Sequence, residues 1–308
     1  MKLVKPKFEI LEQAPGLEGI EKQIELAGRT CYHSQNRITE DSAKKFVDMM
    51  VKSGHGAMLE HGTVYLAIPM TTHYSGFVWM YKESPYCKVN ECNEMIFTDK
   101  FGNKVAAWCV TTNLRFLVEN DLLNDLECLC EPTKYHERRV TVRFTMDRIG
   151  SQSFCRHRVF SFAQESTRYC NYSKDKFNNE IKFIIPCWCN LQEGRYTWWN
   201  NDWCDAENMK ILKHDNYDEI DTMLHLFNFA ELTYRDLTGK GWTAQKARTV
   251  LPVGLATEIV MTGFVSDWEH FFKLRDDAHA HPQAQELAKP LHEDFIKKGY
   301  IDDEHKIA

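Results

Sequence analysis

No GxGxxG turn, GxxxxGK[ST] loop, GxSxG elbow or HExxH pair occurs in the chain, so the common sequence routes to a Rossmann dehydrogenase, a P-loop kinase, an α/β-hydrolase and a zincin are absent. No run approaches the roughly 18 consecutive apolar residues of a membrane span. The opening stretch, MKLVKPKFEILEQ, carries charge where an export signal carries an apolar core. A cytoplasmic protein without a membrane partner is therefore expected. The 11 cysteines are odd in number and never spaced CxxC, which suits reduced thiols better than disulfides or a structural zinc, so no metal is expected. Nor is there an excess of positive charge: 38 Lys and Arg against 44 Asp and Glu give 38 − 44 = −6, which speaks against nucleic acid as a partner. Repeats, low-complexity tracts and linker-like stretches are missing too, so the 308 residues read as a single domain, 1–308.

The hydrophobic pattern then gives the elements. Leu17, Ile20, Ile24 and Ala27 recur at helical spacing over 16–29, and Ala43, Phe46, Val47, Met50 and Val51 do so over 40–53, with Thr39 as a cap and Gly54 past the end. Val64, Leu66 and Ile68 alternate as a strand, and Asp99–Asn103 marks the turn of a hairpin. A helix is expected over 113–131. Val140, Val142, Phe144 and Met146 form one face of a strand that leads directly into an arginine-rich segment. Residues 187–217 lack periodicity and read as a surface excursion, a helix runs from Ile220 to a stop at Gly239, and Ser266-x-x-Glu269 reads as a capping box that opens a helix ending at Arg275. Strands in the middle and helices at the flanks make the class α+β.

Charge is concentrated at one place. Residues 138–168 hold seven arginines against Asp147 and Glu165, a local balance of 7 − 2 = +5 in an acidic protein. Within RHRVFSFAQESTR, from Arg156 to Arg168, the rigid guanidinium forks match pairs of phosphate oxygens, and Ser166 adds a donor. The plain alternative is a solvated face, or pairing with acids elsewhere in the chain. Arg248 and Arg275 lie far downstream among apolar neighbours, each either buried against a partner or aimed at a ligand. His279 and His281 could ligate a metal, pack, or touch a ligand. A non-catalytic nucleotide- or RNA-binding protein would use the same arginines with Trp198, Trp199 and Trp203 as a stacking surface.

RHRVFSFAQESTR resembles the RHRxxSxNExSxR signature of the flavin-dependent thymidylate synthases, with Ala163 in place of the Asn and Gln164 in place of the Glu. Glu60-His61, ARTVLP around Arg248 and LRDDAHAHPQ around Arg275 follow the family in the same order. The resemblance implies an α+β fold with a central antiparallel sheet flanked by helices, here carrying insertions at about 70–138 and 188–217. It also implies a homotetramer with shared active sites. The implied reaction is reductive methylation of dUMP to dTMP, with methylene-tetrahydrofolate as carbon donor and NADPH as reductant acting through FAD. A flavoprotein of the same scaffold with an altered substrate is the alternative, supported by departures at Ser153, Ala163, Phe264 and Ser266.

Carried over by position, the resemblance assigns Ser153, Arg156, Gln164, Glu165, Ser166, Thr167, Arg168, Arg248 and Arg275 to dUMP. Arg275 is also the catalytic residue, a fixed cation that favours ionisation of the uracil. His61, Thr63, Arg156, His157, Arg158, Gln164, His270 and His279 are assigned to FAD. Because this chemistry needs no cysteine thiolate, Cys155 reads as a small buried residue, and Ser166 as a phosphate donor with no adjacent base to make it a nucleophile.

Overall fold

The computed structural model describes residues 1–70, 78–99, 101–174, 180–197, 209–211 and 218–302, the last short stretch, 209–211, by its backbone alone. Nine-residue pairing of β6 (Arg139–Asp147) with β11 (Ala256–Phe264) is the spine on which the molecule is organised, with Phe144 opposite Ile259 and Thr141 opposite Thr262. β2 (Lys7–Leu11) adds to the free side of β6 and β7 (Ser161–Gln164) to the free side of β11, giving an antiparallel sheet in the order β2-β6-β11-β7. The strand alternation read from Val140, Val142, Phe144 and Met146 is realised here, since all four are buried in one cluster with Ile259 and Met261.

Helices cover both faces of this sheet. On the Val140–Met146 face lie α6 (Arg148–Phe154), α9 (Val265–Arg275) and α10 (Pro282–Lys297), which contribute Phe154, Trp268, Phe271, Leu287 and Phe295. Trp268 is fully buried and its indole N–H donates to the Val140 carbonyl at 3.1 Å, so its polar edge is satisfied inside the core. Truncating it to Ala would cost about 3–5 kcal/mol. On the opposite face α1 (Gly16–Cys31) sets Ala27 against Ala163, Val260 and Leu11. Gly62 lets the chain just before Thr63 lie against the same helix, because a Cβ there would sit 2.6 Å from the Ile24 side chain.

Two further sheets accompany the first, so the architecture is α+β with three sheets rather than one. β3 (Thr63–Pro69), β5 (Lys104–Asn113) and β4 (Lys88–Thr98) form an antiparallel sheet whose hairpin turn is held by Asp99, with Gly102 at φ +86°. It packs with α1, α2 (Ser42–Lys52), α3 (Gly56–Leu59), α4 (Val78–Lys82) and α5 (Leu114–Glu119) around Val64, Leu66, Val110 and Leu117. The third sheet is mixed, in the order β10 (Met209–Ile211), β9 (Gly194–Thr197), β1 (Lys2–Val4), β8 (Lys182–Ile184), and buries Leu3, Phe183 and Tyr196 against α7 (Glu219–Gly239) and α8 (Ala244–Ala247).

The structure differs from the sequence reading at four places. The expected helix over 113–131 breaks after Glu119: the Asn120 amide caps the Phe116 carbonyl, Asp121 turns left-handed at φ +57°, and a 3-10 segment follows over Leu123–Cys128. The excursion over 187–217 contains strands β9 and β10. The α2 helix starts one residue after Asp41, and Ser42, not Thr39, supplies the side-chain oxygen that ties the entry, accepting from the Thr39 N–H at 2.9 Å. Finally, α9 is opened by Asp267, whose carboxylate accepts the Phe264 N–H at 3.2 Å, while the Ser266 hydroxyl is engaged by Glu137.

Candidate functional site

The arginine-rich segment crosses the edge of the first sheet. It leaves α6 through the turn Cys155–Phe160, enters edge strand β7, and continues as a loop from Glu165 into the Cys170 region. Gly263 lets the turn sit close to β11, since a Cβ there would meet the Phe160 ring at 2.4 Å. Three groups of side chains result.

The first lies where the turn meets the end of α9. Arg275 donates from Nε to His157 Nε2 at 2.9 Å and from Nη2 to the Ser153 carbonyl at 2.9 Å. His157 is 7% exposed, and its ring packs against Phe271 and Phe160 with His270 6.3 Å away. Burial, and then the neighbouring Arg275 charge, push the His157 pKa down to about 4. A ring that accepts at Nε2 must be neutral with its proton on Nδ1, so Arg275 is gripped without being neutralised. Burial, followed by repulsion from Arg156, lowers the Arg275 pKa as well, which marks these guanidiniums as neighbours.

The second group surrounds the loop after β7. Glu165 is 6% exposed, accepts from the Tyr172 hydroxyl at 2.7 Å, and is pushed up to about 7 by burial. Gln164 donates to Ser151 Oγ at 2.7 Å, and Arg148 spans the Glu165 carbonyl and Thr257 Oγ1 at 3.4 and 3.3 Å. The Ser166 N–H is tied to the Cys31 carbonyl at 2.9 Å. Beyond it, Arg248 reaches Thr167 Oγ1 at 3.4 Å and Arg168 reaches Gln245 at 3.2 Å, so residues eighty apart in sequence share one surface. Arg248 opens a 3-10 turn after α8, which packs on the third sheet through Ala247.

The third group lies at the start of β3. His61 is fully buried, its Nδ1 is 2.8 Å from Thr262 Oγ1, and burial lowers its pKa to about 3. Thr63 has its backbone clamped by Gln13, and its hydroxyl is 3.4 Å from Arg139, which also donates to the Glu60 carbonyl and to Ser161. Ser161 and Gln164 stand at the two ends of β7, so this strand joins the third group to the second.

One contrast runs through all three groups. Arg156, Arg158, Arg168 and Arg248 are exposed and Arg275 half-buried, yet none has a carboxylate within 4.0 Å among the described residues. Elsewhere Arg29, Arg115, Arg143, Arg195 and Arg235 each hold a glutamate. Charge-assisted bonds with the geometry to grip an anion are therefore left open at these five arginines. Cys155 is partly buried with its thiol pKa raised by burial, the opposite of an activated nucleophile.

His279 stands apart from these groups, exposed beside Asp277, and neither it nor His281 lies inside a helix, since His281 is the N-cap of α10. Phe264 lies 5.4 Å from the Arg139 guanidinium. Trp198, Trp199 and Trp203 lie outside the described residues. Sequence reasoning missed Tyr172, Arg139 and Arg148 as members of the site. The two arginines were visible only as part of a charge count, and Tyr172 carried no signal of spacing.

The family model described as "Thymidylate synthase complementing protein" matches residues 136–298, just over half the chain. The flavin-dependent thymidylate synthase of Synechocystis sp. is 25% identical over 162 residues, covering 51% of this chain and 66% of that protein. The flavin-dependent thymidylate synthase of Pyrococcus furiosus is 25% identical over 154 residues, covering 50% and 52%. The alignments thus span about half to just under two thirds of these relatives' lengths. Among solved structures, the UMP/dUMP methylase PolB from Streptomyces cacaoi bound with 5-Br dUMP overlaps 96% of this chain and 93% of its own, at 15% identity and a TM-score of 0.41.

Proposed function

Since the chain belongs to the thymidylate synthase complementing protein family, we propose that it is an enzyme that methylates dUMP reductively to dTMP, taking carbon from methylene-tetrahydrofolate and hydride from NADPH through bound FAD. The observation that carries this reading is the set of five arginines that have no carboxylate partner among the described residues, held around β7 and at the ends of α8 and α9. The same set fits a flavin dinucleotide, because Arg156 and Arg158 keep both guanidinium forks open for a pyrophosphate. When bound, the flavin supplies the hydride relay.

The chain's own residues do the rest. Arg168, Arg248 and Ser166 hold the nucleotide phosphate, with Thr167 fixing the direction of Arg248. Arg275, gripped through Nε and Nη2, presents its remaining charge to the uracil, where negative charge develops. His157 keeps that guanidinium in place while itself staying neutral, and His270, next to it, borders the flavin side. Arg156, Arg158 and Arg168 lie at the surface of the single chain, so neighbouring subunits of a homotetramer close the site over them. Free thiols at the described cysteines suit the reducing cytoplasm.

The test is dTMP formation from dUMP in a mixture of protein, FAD, NADPH and methylene-tetrahydrofolate. Product that disappears when any one component is omitted is the expected result. Flavin binding without turnover of dUMP would indicate a changed substrate, and neither flavin nor dUMP binding would leave a non-catalytic nucleotide-binding protein.

A further inference from the structure

The tie between Ser166 and Cys31 joins the loop after β7 to the C-terminal end of α1, and that same end of α1 borders a cleft. Its volume is about 560 Å³, large enough for a ring system with an attached anionic group, and its lining includes Tyr32, His33, Arg37, Met49, His55 and Tyr169. The Tyr32 and Tyr169 rings, 39% and 58% exposed, stand 5.3 Å apart at 46°, forming an open aromatic wall. Arg168 lies 5.5 Å from the Tyr169 ring, so the wall adjoins the arginine edge described above.

No carboxylate is among the described residues that line the cleft. Arg29 is already held by Glu25 and lies over Phe46, whereas Arg37 is exposed and has no ion pair among the described residues. His33 and His55 add two imidazole rings to the lining, and His33 is held at φ +47°, a conformation a non-glycine residue seldom takes without cause. Aromatic faces combined with an uncompensated guanidinium suit a planar ring that carries phosphate or carboxylate.

We propose that this cleft binds the anionic aromatic tail of a co-substrate, stacked on Tyr32 and Tyr169 with its negative charge on Arg37. The inference rests on the synthase reading above. Two co-substrates of that reaction carry such a tail: the phosphorylated adenosine of NADPH and the aminobenzoyl-glutamate of the folate.

The experiment measures binding of NADPH, NADH, monoglutamyl and triglutamyl tetrahydrofolate, and dUMP to the FAD-loaded protein and to its Arg37→Glu variant, alongside steady-state kinetics. Arg37→Glu should weaken one co-substrate roughly tenfold or more, the scale of one charge-assisted bond, while dUMP affinity and flavin content stay at wild-type values. A loss seen with NADPH and not with NADH assigns the 2′-phosphate. A loss that grows from mono- to triglutamyl folate assigns the glutamate tail. Tyr32→Ala should weaken the same ligand, with Tyr32→Phe restoring it. Binding of both co-substrates within twofold of wild type, or an equal loss of dUMP affinity, would overturn the proposal. The binding arm needs no turnover, so a wild-type protein that makes no dTMP would defeat the synthase reading while still reporting on the cleft.

Discussion

Arginines are used in two ways among the described residues of this molecule. At Arg115, between Glu60 and Glu119, and at Arg143, Arg195 and Arg235, a carboxylate meets each guanidinium. Along the edge built by the 156–168 segment, Arg248 and Arg275, the partners are histidine, threonine, glutamine and a backbone carbonyl, all uncharged. Neutral partners orient a guanidinium without spending its charge. The acid nearest in sequence, Glu165, is turned inward onto Tyr172, and burial favours its protonated form. An anion arriving at that edge therefore meets fixed positive charge, whereas at the paired sites it would have to displace a glutamate first.

The contrast is most severely tested at Arg275. Arg275→Ala should leave FAD binding intact and reduce dTMP formation by at least about 100-fold, through loss of the cation beside the uracil. Turnover near wild type would remove Arg275 from catalysis. Next in size, Arg168→Ala and Arg248→Ala should each weaken dUMP by about 2 kcal/mol, roughly thirtyfold, as measured by titration calorimetry. Unchanged affinity would place the phosphate elsewhere.

The inward-turned acid gives a stability prediction of comparable size. Glu165 is held near 7 in the fold against an ordinary 4.5, so keeping it buried costs stability as pH rises above 4.5, and the cost is complete once pH passes about 7. Glu165→Gln should therefore raise stability at pH 8 by up to about 3 kcal/mol and leave it unchanged at pH 4. His61 and His157 act in the opposite sense. Both are neutral in the fold, at about 3 and about 4, so an unfolded chain gains protons on them as pH falls below 6.5 and the fold weakens toward pH 4. Denaturant midpoints of wild type and Glu165→Gln across pH 4–8 check both signs. Smallest of all, Arg143→Ala should change stability by less than about 1 kcal/mol and leave dUMP affinity unaltered, because its bond to Glu9 is a solvent-facing pair.

How much of this was legible in the sequence depended on whether a local pattern or a tertiary contact decided the matter. The β6 strand and the helices α1, α2, α7 and α9 were readable because a single buried face imposes a period. The helix over 113–131 was misread because its apolar period continues past Asn120, while side-chain capping and a left-handed Asp121 end it. β9 and β10 were missed because three- and four-residue strands are too short to show alternation. In the site, the signature segment was legible as charge. That Gln164 is set by Ser151, Arg275 by His157 and Arg248 by Thr167 depends on sheet register and helix placement that no spacing in the chain encodes.

The most direct test of the unpaired edge as a shared flavin and nucleotide site is the visible spectrum of the purified protein under anaerobic conditions, recorded after FAD reconstitution, then with NADPH, then with dUMP. The expected result is a flavin band that NADPH bleaches, with a rate or band shape that responds to dUMP. A protein that stays colourless after reconstitution would contradict it.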